Sequence, residues 1–203
     1  MSDSLPEGVV TLPDDGSLWE DLFTVAPLVL IGTREEDGRF DLAPKHMVTP
    51  IGWEGHFGFV CTPLHRTYWN ARRERAFTVS YPKPSQVVLA SLAATPRCDG
   101  DDPKPVLQAI PTVAARVVDG VLVRDAYVML ECELDRVVDD FGAASLVVGR
   151  VVAAHASRDA LRSVDRDDQE VIADCPLLAY LSPGRYASVR ESAAFPFPIG
   201  LES

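Results

Sequence analysis

A long alternation of apolar and acidic residues in the second half of the chain most constrains the fold. Within residues 127–138, Val128, Leu130, Cys132 and Leu134 take alternate positions, and acidic residues such as Glu131 lie on the other face. A period of two predicts a strand with one buried and one solvated face. Residues 139–142 (DDFG) predict a turn, and residues 145–155 return as a long apolar strand. We therefore expect a long antiparallel hairpin in a largely β protein.

The first half of the chain predicts another antiparallel pair. Residues 27–34 (PLVLIGTR) are strongly apolar, and residues 35–38 (EEDG) carry the Asp-Gly signal of a tight hairpin. Residues 39–43 return as a strand. That strand runs into the first of two polar clusters, residues 41–46 (DLAPKH). Polar side chains therefore gather at the end of a predicted strand.

The second polar cluster, residues 61–70 (CTPLHRTYWN), follows a predicted strand over residues 56–61. Thr62 followed by Pro63 predicts a helix over residues 63–73, with the threonine hydroxyl as its N-cap.

Three polar side chains share one face of this predicted helix. Arg66 and Asn70 are four residues apart, and Thr67 and Asn70 are three apart. Free amides at a helix N-terminus, a hydroxyl and a guanidinium together favour a phosphate. The same spacing also describes an ordinary solvated helix face.

In order and separation, the two clusters resemble the flavin-reductase-like family of the FMN-binding split-barrel superfamily. That family has an apolar strand, a Gly turn and a strand ending in a motif like Asn-x-Ala-Pro-x-Ser. A second strand then ends in a Lys/Arg-x-Thr cluster, with Asn at the next helical turn. Residues 41–46 and 65–70 (HRTYWN) correspond to these motifs. Asp41 stands in place of the usual Asn, and His46 stands near the usual Ser or Thr.

The resemblance extends over residues 22–186. Residues 130–134 and 146–152 resemble the family's late β-hairpin, and residues 176–180 and 184–186 resemble its C-terminal strand region. It implies an α+β, mainly β fold: an antiparallel split β-barrel with a few flanking helices. It also implies a homodimer that binds FMN non-covalently near its interface.

The candidate cofactor-binding residues lie on positions that match the two motifs, and no catalytic residue is assigned. They are Pro44, Lys45, His46, Met47, Cys61, Thr62, His65, Arg66, Thr67 and Asn70.

The function implied by the resemblance is that of an FMN-binding flavoprotein. It would be an NAD(P)H-dependent flavin reductase, or a flavin-dependent oxidoreductase acting on a small molecule, with NADH or NADPH as electron donor. The alternative is a non-catalytic FMN-binding or electron-transfer protein. A third possibility is a split barrel that has lost flavin and serves as an interaction module.

Composition narrows the classes of partner. The net charge of −11 argues against nucleic acid and anionic membranes, because both attract basic surfaces. Against that acidic background, arginines at 66, 72, 73 and 75 predict a local positive patch that suits a small anion. Residues 1–16 are polar and contain prolines, so they predict an N-terminal arm. A length of 203 residues favours one domain (17–203), with two smaller domains as the alternative.

Cysteine and histidine usage predicts neither a zinc site nor a redox disulfide. The four cysteines include no Cys-x-x-Cys pair, and no two of the four histidines lie three or four residues apart. No signal peptide and no apolar run of transmembrane length is recognisable. A reducing cytoplasm is therefore the expected location.

The remaining segments give simpler expectations. Residues 76–81 predict a strand, and residues 85–94 predict a helix capped by Ser85. Residues 95–105 are rich in proline and aspartate and predict a surface loop. Residues 194–200 (AFPFPIG) are apolar and proline-bound, so they are expected to pack on a second subunit or on their own domain.

Overall fold

A computed structural model describes residues 5–15, 18–95 and 104–196. In those ranges the helices are α1 (Leu18–Asp21), α2 (Arg66–Glu74), α3 (Val87–Leu92) and α4 (Asp168–Asp174). The strands are β1 (Thr24–Pro27), β2 (Val29–Arg34), β3 (Phe40–Lys45), β4 (Val48–Ile51), β5 (His56–Cys61), β6 (Ala76–Tyr81), β7 (Thr112–Ala114), β8 (Val121–Val123), β9 (Val128–Phe141), β10 (Ala144–Ala156), β11 (Leu177–Ser182) and β12 (Arg185–Val189).

The long hairpin of β9 and β10 is the centre of a curled seven-stranded sheet with the order β3-β2-β6-β9-β10-β5-β4. The pairings within it are antiparallel. A three-stranded sheet, β1-β11-β12, and the β7-β8 pair complete the fold. The expected mainly β fold with a few flanking helices is confirmed.

Two apolar clusters lie on opposite faces of β2. Val29 and Ile31 belong to a cluster with the aromatic residues of β5 and β6 and with Tyr68 of α2. Leu30 belongs to a second cluster, which α3 covers through Ala90. Because side chains alternate along a strand, β2 is buried on both faces. Helices α2 and α3 are thereby held on opposite sides of the same strand.

The predicted alternation along β9 is right for its apolar face and wrong for Glu131. Cys132 and Leu134 are buried in the first apolar cluster, and Glu133 is exposed, as expected. Glu131 was expected to face solvent, but its exposure is 0 %. The segment between β7 and β8 covers this face and buries the carboxylate.

The buried carboxylate of Glu131 is saturated with hydrogen bonds. Its oxygens accept from the backbone N–H groups of Arg116 (2.9 Å), Val117 (2.6 Å) and Val118 (3.0 Å). His155 Nε2 lies 2.8 Å from Oε1. Burial raises the pKa of Glu131, but the backbone donors and His155 outweigh burial and lower it to about 2. Glu131 therefore fastens the β7–β8 connection to the central hairpin.

Two predicted boundaries shift in the structure. Strand β9 runs to Phe141, so the turn begins only at Gly142, the last of the four residues predicted for it; Gly142 has a φ of +63°. Residues 85–94 do not form one helix capped by Ser85. A 3₁₀ turn over Pro84–Gln86 comes first, and α3 begins at Val87.

The two ends of the chain lie partly outside the described residues. Residues 5–15 have no helix or strand, in keeping with an N-terminal arm. The end of the apolar tail, from residue 197 onward, lies outside the described residues, as do residues 96–103 of the predicted loop. No helix in the described ranges has the length and apolar content needed to cross a membrane.

Candidate functional site

A cavity of about 490 Å³ lies where β3, the start of α2 and the end of α3 meet. This volume falls in the range of small-molecule sites. The lining combines charged side chains with small apolar ones: Asp41, Ala43, Pro44, Lys45, Leu64, His65, Arg66, Thr67, Ala93, Ala94, Thr95 and Lys104. Both predicted polar clusters therefore contribute to one cavity.

The start of α2 differs from the prediction that Thr62 caps a helix beginning at Pro63. The helix begins at Arg66, and its N-cap residue is His65. The Thr62 hydroxyl instead accepts from the backbone N–H of Leu64 (3.3 Å), and the Thr62 carbonyl accepts from that of His65 (3.0 Å). Residues 62–65 thus form a separate turn, because these local bonds compete with the helix.

The later helix start has a consequence for the cavity. His65 makes no side-chain hydrogen bond to the helix it precedes. The first helical residues, Arg66 and Thr67, line the cavity. A nine-residue helix therefore opens on the cavity without a side-chain cap, and helix N-termini attract anions.

Lys45 and His65 bring the two polar clusters together. Lys45 Nζ lies 3.4 Å from His65 Nδ1. Lysine has only donors, so Nδ1 is the acceptor and the ring carries its proton on Nε2. Burial, Lys45 and Lys104 lower the pKa of His65, and Asp41 opposes them. His65 is thus neutral at pH 7, and the charge at this point of the cavity comes from Lys45.

Asp41 and Lys104 form a buried ion pair in the same cavity. Their side chains are 5 % and 12 % exposed, and Lys104 Nζ lies 3.1 Å from Asp41 Oδ1. Lys104 Nζ also donates to the carbonyls of Leu42 (3.3 Å) and Ala93 (3.0 Å). The ammonium group therefore ties the end of α3 to β3.

Five of the ten candidate residues line the cavity, namely Pro44, Lys45, His65, Arg66 and Thr67. The other five lie elsewhere. Cys61 is buried in the first apolar cluster, and Thr62 belongs to the turn before α2. Met47 is exposed, and the His46 ring lies 4.6 Å from that of Tyr180.

The tenth candidate, Asn70, is buried away from the cavity lining. Its amide Nδ2 donates to Thr33 Oγ1 (3.2 Å), and its Oδ1 accepts from Arg73 (3.1 Å). Asn70 therefore connects α2 to β2. Its predicted contact with a cofactor stays a prediction.

The predicted arginine patch does not converge on one point. Arg72 pairs with Asp139, Arg73 donates to the Arg34 carbonyl, and Arg75 donates to the Leu134 carbonyl. Of the four arginines in this patch, only Arg66 lines the cavity.

The described side chains of the cavity carry a net positive charge. Among the described lining residues, Lys45, Lys104 and Arg66 outnumber the one carboxylate, Asp41, although the whole chain carries −11. A basic lining in an acidic protein favours an anionic ligand. Within the described ranges, no three His, Cys, Asp or Glu side chains are placed to hold a metal ion.

Sequence reasoning missed the third wall of the cavity. The end of α3 and Lys104 are distant in sequence from both clusters, and residues 95–105 were expected only to form a surface loop. Asp41 lies within the first cluster but was not among the candidates. Its acidic character at an otherwise apolar strand position was the one available signal.

The curled antiparallel sheet defines a split-barrel protein, and its cavity is lined by basic side chains. The family model of the flavin reductase like domain matches residues 23–189, and the chain belongs to that family. Membership of this family supports a flavin-related oxidoreductase function, at the level of the family only. The resemblance identified from the two motifs is thereby confirmed.

Three solved structures illustrate the fold. The 2-nitrobenzoate 2-nitroreductase NbaA of Pseudomonas fluorescens has a TM-score of 0.78 at 17% identity, covering 95% of each chain. A protein described as a flavin reductase with a split barrel domain, from Shewanella frigidimarina NCIMB 400, has a TM-score of 0.73 at 18% identity, covering 86% of this chain and 87% of its own. The flavoredoxin of Desulfovibrio vulgaris (Miyazaki F) has a TM-score of 0.71 at 21% identity, covering 98% of this chain and 100% of its own.

These similarities establish the split-barrel fold that the motifs predicted. A comparison with curated proteins finds no match.

Proposed function

We propose that this protein binds FMN in the cavity and acts as an NAD(P)H-dependent flavin reductase, or as a flavin-dependent oxidoreductase on a small molecule. The observation that carries the proposal is the positive cavity at the start of α2, in a chain of the flavin reductase like family. A flavin that carries a phosphate is the ligand whose chemistry agrees with the positive cavity and with membership of this family.

The donors in the cavity fit the phosphate of FMN. At the first turn of α2, Arg66 offers a guanidinium fork and Thr67 a hydroxyl, and Lys45 at the end of β3 offers a second positive charge. The small apolar side chains Ala43 and Ala93 leave room for a flat ring. When bound, FMN supplies the redox chemistry, and the protein supplies orientation and electrostatics.

His65 has a defined part in this arrangement. Because Lys45 approaches Nδ1, the ring holds its proton at Nε2 and can donate one hydrogen bond from that atom. A neutral imidazole also adds no further positive charge to those of Lys45 and Arg66 beside it.

Two measurements test this function. The visible absorption spectrum of the purified protein, with chromatography of the released ligand, shows whether FMN is bound. Steady-state oxidation of NADH and NADPH, with and without added flavin, then shows catalysis. Protein that neither carries nor takes up flavin would contradict the proposal.

The second candidate is a non-catalytic FMN-binding or electron-transfer protein. The structural similarity to a flavoredoxin favours it. A protein that binds FMN but oxidises neither NADH nor NADPH in steady state would support this candidate over the reductase.

The cavity charge predicts a preference among flavins. We expect FMN to bind at least about tenfold more tightly than riboflavin, because hydrogen bonds to charged groups contribute about 1.5–3 kcal/mol. FAD should also bind more weakly, since it has no terminal phosphate for Arg66. Fluorescence titration with the three flavins measures this. Equal affinities for FMN and riboflavin would remove the phosphate from the proposal.

We also propose that the protein is a homodimer with the flavin near the interface. Large apolar side chains are exposed on the chain: Phe23 is 71 %, Val25 74 % and Leu64 88 % exposed, and Leu64 lines the cavity. Such surface is commonly covered by a partner. Light scattering at micromolar concentration should give twice the chain mass. A monomer would contradict the proposal. If removal of residues 194–203 leaves the dimer intact, only the contribution of this C-terminal tail to the interface is excluded.

A reducing cytoplasm is proposed as the location. Cys61, Cys132 and Cys175 are buried free thiols, and burial raises the pKa of Cys132 to about 12. These three cysteines behave as small apolar side chains rather than as redox groups.

A further inference from the structure

The ammonium group of Lys104 is held by groups of the protein. It donates hydrogen bonds to the carbonyls of Leu42 (3.3 Å) and Ala93 (3.0 Å), and Asp41 Oδ1 lies 3.1 Å away as its ion-pair partner. Two of its three N–H donors are thus engaged by backbone carbonyls, and Lys104 contributes charge to the cavity. Lys45 differs in that its Nζ lies beside the ring nitrogen Nδ1 of His65.

Among the described residues of the cavity lining, Asp41 is the one acidic side chain. A cavity of about 490 Å³ is about 10 Å across if taken as a sphere, which is comparable with the screening length of about 8 Å at physiological ionic strength. An anion held by Lys45 and Arg66 therefore experiences the charge of Asp41 as well as that of Lys104. At present these two charges largely offset each other.

We propose that the Asp41–Lys104 pair sets the affinity of the cavity for anions. Asp41 offsets the positive charge of Lys104, and so limits how tightly a phosphate is held. The pair is thus a specificity-determining element for the anionic end of the ligand. This inference rests on the proposed function only in naming FMN as that ligand.

The proposal predicts effects of opposite sign for the two partners. Asp41→Asn keeps the shape and an acceptor for Lys104 but removes the negative charge, so FMN should bind about three- to thirtyfold more tightly. Lys104→Met leaves the carboxylate uncompensated, so FMN should bind more weakly by a similar factor. Riboflavin, which is uncharged, should change by less than about twofold in Asp41→Asn.

A purely structural role gives a different pattern. If the pair only held the cavity wall in place, both substitutions would weaken binding, and they would weaken FMN and riboflavin equally. The double variant Asp41→Asn/Lys104→Met removes both charges and should return FMN affinity to within about threefold of the original. Thermal unfolding of each variant identifies any that does not fold. If Lys104→Met or the double variant does not fold, Asp41→Asn alone distinguishes the electrostatic role from the structural one, because asparagine has nearly the same shape as aspartate.

Matched controls come from an exposed ion pair outside the cavity. Arg150 and Glu133 lie 2.6 Å apart on the central hairpin, and both are exposed. Glu133→Gln changes the net charge as Asp41→Asn does, and Arg150→Met changes it as Lys104→Met does. Both controls should leave FMN affinity within about twofold.

A second probe separates this inference from the proposed function. If the protein binds no flavin, inorganic phosphate remains a probe of the cavity charge, read by thermal shift at constant ionic strength. Phosphate should stabilise Asp41→Asn more, and Lys104→Met less, than the unmodified protein. Weaker FMN and phosphate binding in Asp41→Asn, or effects no larger than those of the controls, would overturn the inference.

Discussion

Replacement of Arg66 by alanine should weaken FMN binding about ten- to a hundredfold and leave riboflavin binding within about twofold. Arg66 is the first residue of α2 and lines the cavity. A charged hydrogen bond from its guanidinium to the phosphate is worth about 1.5–3 kcal/mol, and each 1.4 kcal/mol is a factor of ten in affinity. Riboflavin has no phosphate, so it loses nothing. Fluorescence titration of both flavins measures the difference.

Two further variants make this result specific. Arg66→Lys should recover only part of the affinity, because lysine keeps the charge and loses the fork geometry. Arg72→Ala is the matched control: it removes one arginine from the same helix, at a position that pairs with Asp139 outside the cavity. If Arg66→Ala and Arg72→Ala change FMN affinity equally, the phosphate is not held by Arg66, and Lys45 becomes the next candidate.

Replacement of Glu131 by alanine should cost about 3 kcal/mol or more of unfolding free energy. The substitution leaves three backbone N–H groups and His155 without their acceptor at a buried site. Glu131→Gln keeps the shape but brings an amide NH₂ against N–H donors, so a loss of about 2 kcal/mol is expected. Urea unfolding at pH 7 measures both.

The effect of Glu131 should also depend on pH in a defined direction. Its pKa is about 2 in the folded protein against a usual 4.5. Because folding depresses the pKa, its contribution is fully present above about pH 4.5 and is lost as pH falls through about 2. The stability gap between the protein and Glu131→Gln should therefore narrow as pH falls from 6 to 3. A gap that widens on acidification contradicts this assignment.

Glu133→Gln provides the control for stability. Glu133 lies two residues further along β9, is exposed, and makes one surface ion pair with Arg150. Surface pairs contribute between 0 and about 1 kcal/mol. An equal loss in Glu133→Gln and Glu131→Gln would show that the buried network adds nothing.

The bounds of strands were predicted well where they depend on the residues of the strand itself. Strands β5 and β6 have the predicted bounds, His56–Cys61 and Ala76–Tyr81, because runs of aromatic and β-branched residues fit a sheet wherever it lies. The burial of Glu131 depends on a segment that covers it from elsewhere in the chain. Alternation along one strand indicates which side chains share a face, and the identity of the covering segment decides which faces are buried.

The cavity was predicted in part for the same reason. Lys45 ends β3 and Arg66 follows β5, which are strands of one sheet but not neighbours in it. The two polar clusters could be assigned to one site because both resemble motifs of the same family. Lys104 reaches the cavity through a segment without regular periodicity. The start of α2 was misplaced because Thr62 and Pro63 fit a helix start and a turn equally well, and the Trp69 indole N–H donates to the Pro63 carbonyl (2.7 Å) in the turn.

The particular reaction is not contained in the fold. A nitroreductase, a protein described as a flavin reductase and a flavoredoxin share it with this chain at 17–21% identity. In flavoproteins the bound group supplies the electron chemistry. The side chains around the cavity, such as Asp41 and Lys104, are therefore where the selectivity of this protein should be tested.

The position of α2 between β5 and β6 also bears on when the cavity can form. Strand β5 pairs with β10, and β6 pairs with β9, so His56 lies opposite Arg150, about ninety residues later in the chain. Contacts of such high sequence separation form slowly, since a long loop must close before they are gained. During synthesis, β5 and β6 can pair with the earlier strands β4 and β2, but their other edges stay open until the central hairpin emerges from the ribosome. The sheet that carries the cavity is therefore completed late, although most residues of the cavity lining precede the hairpin in the chain.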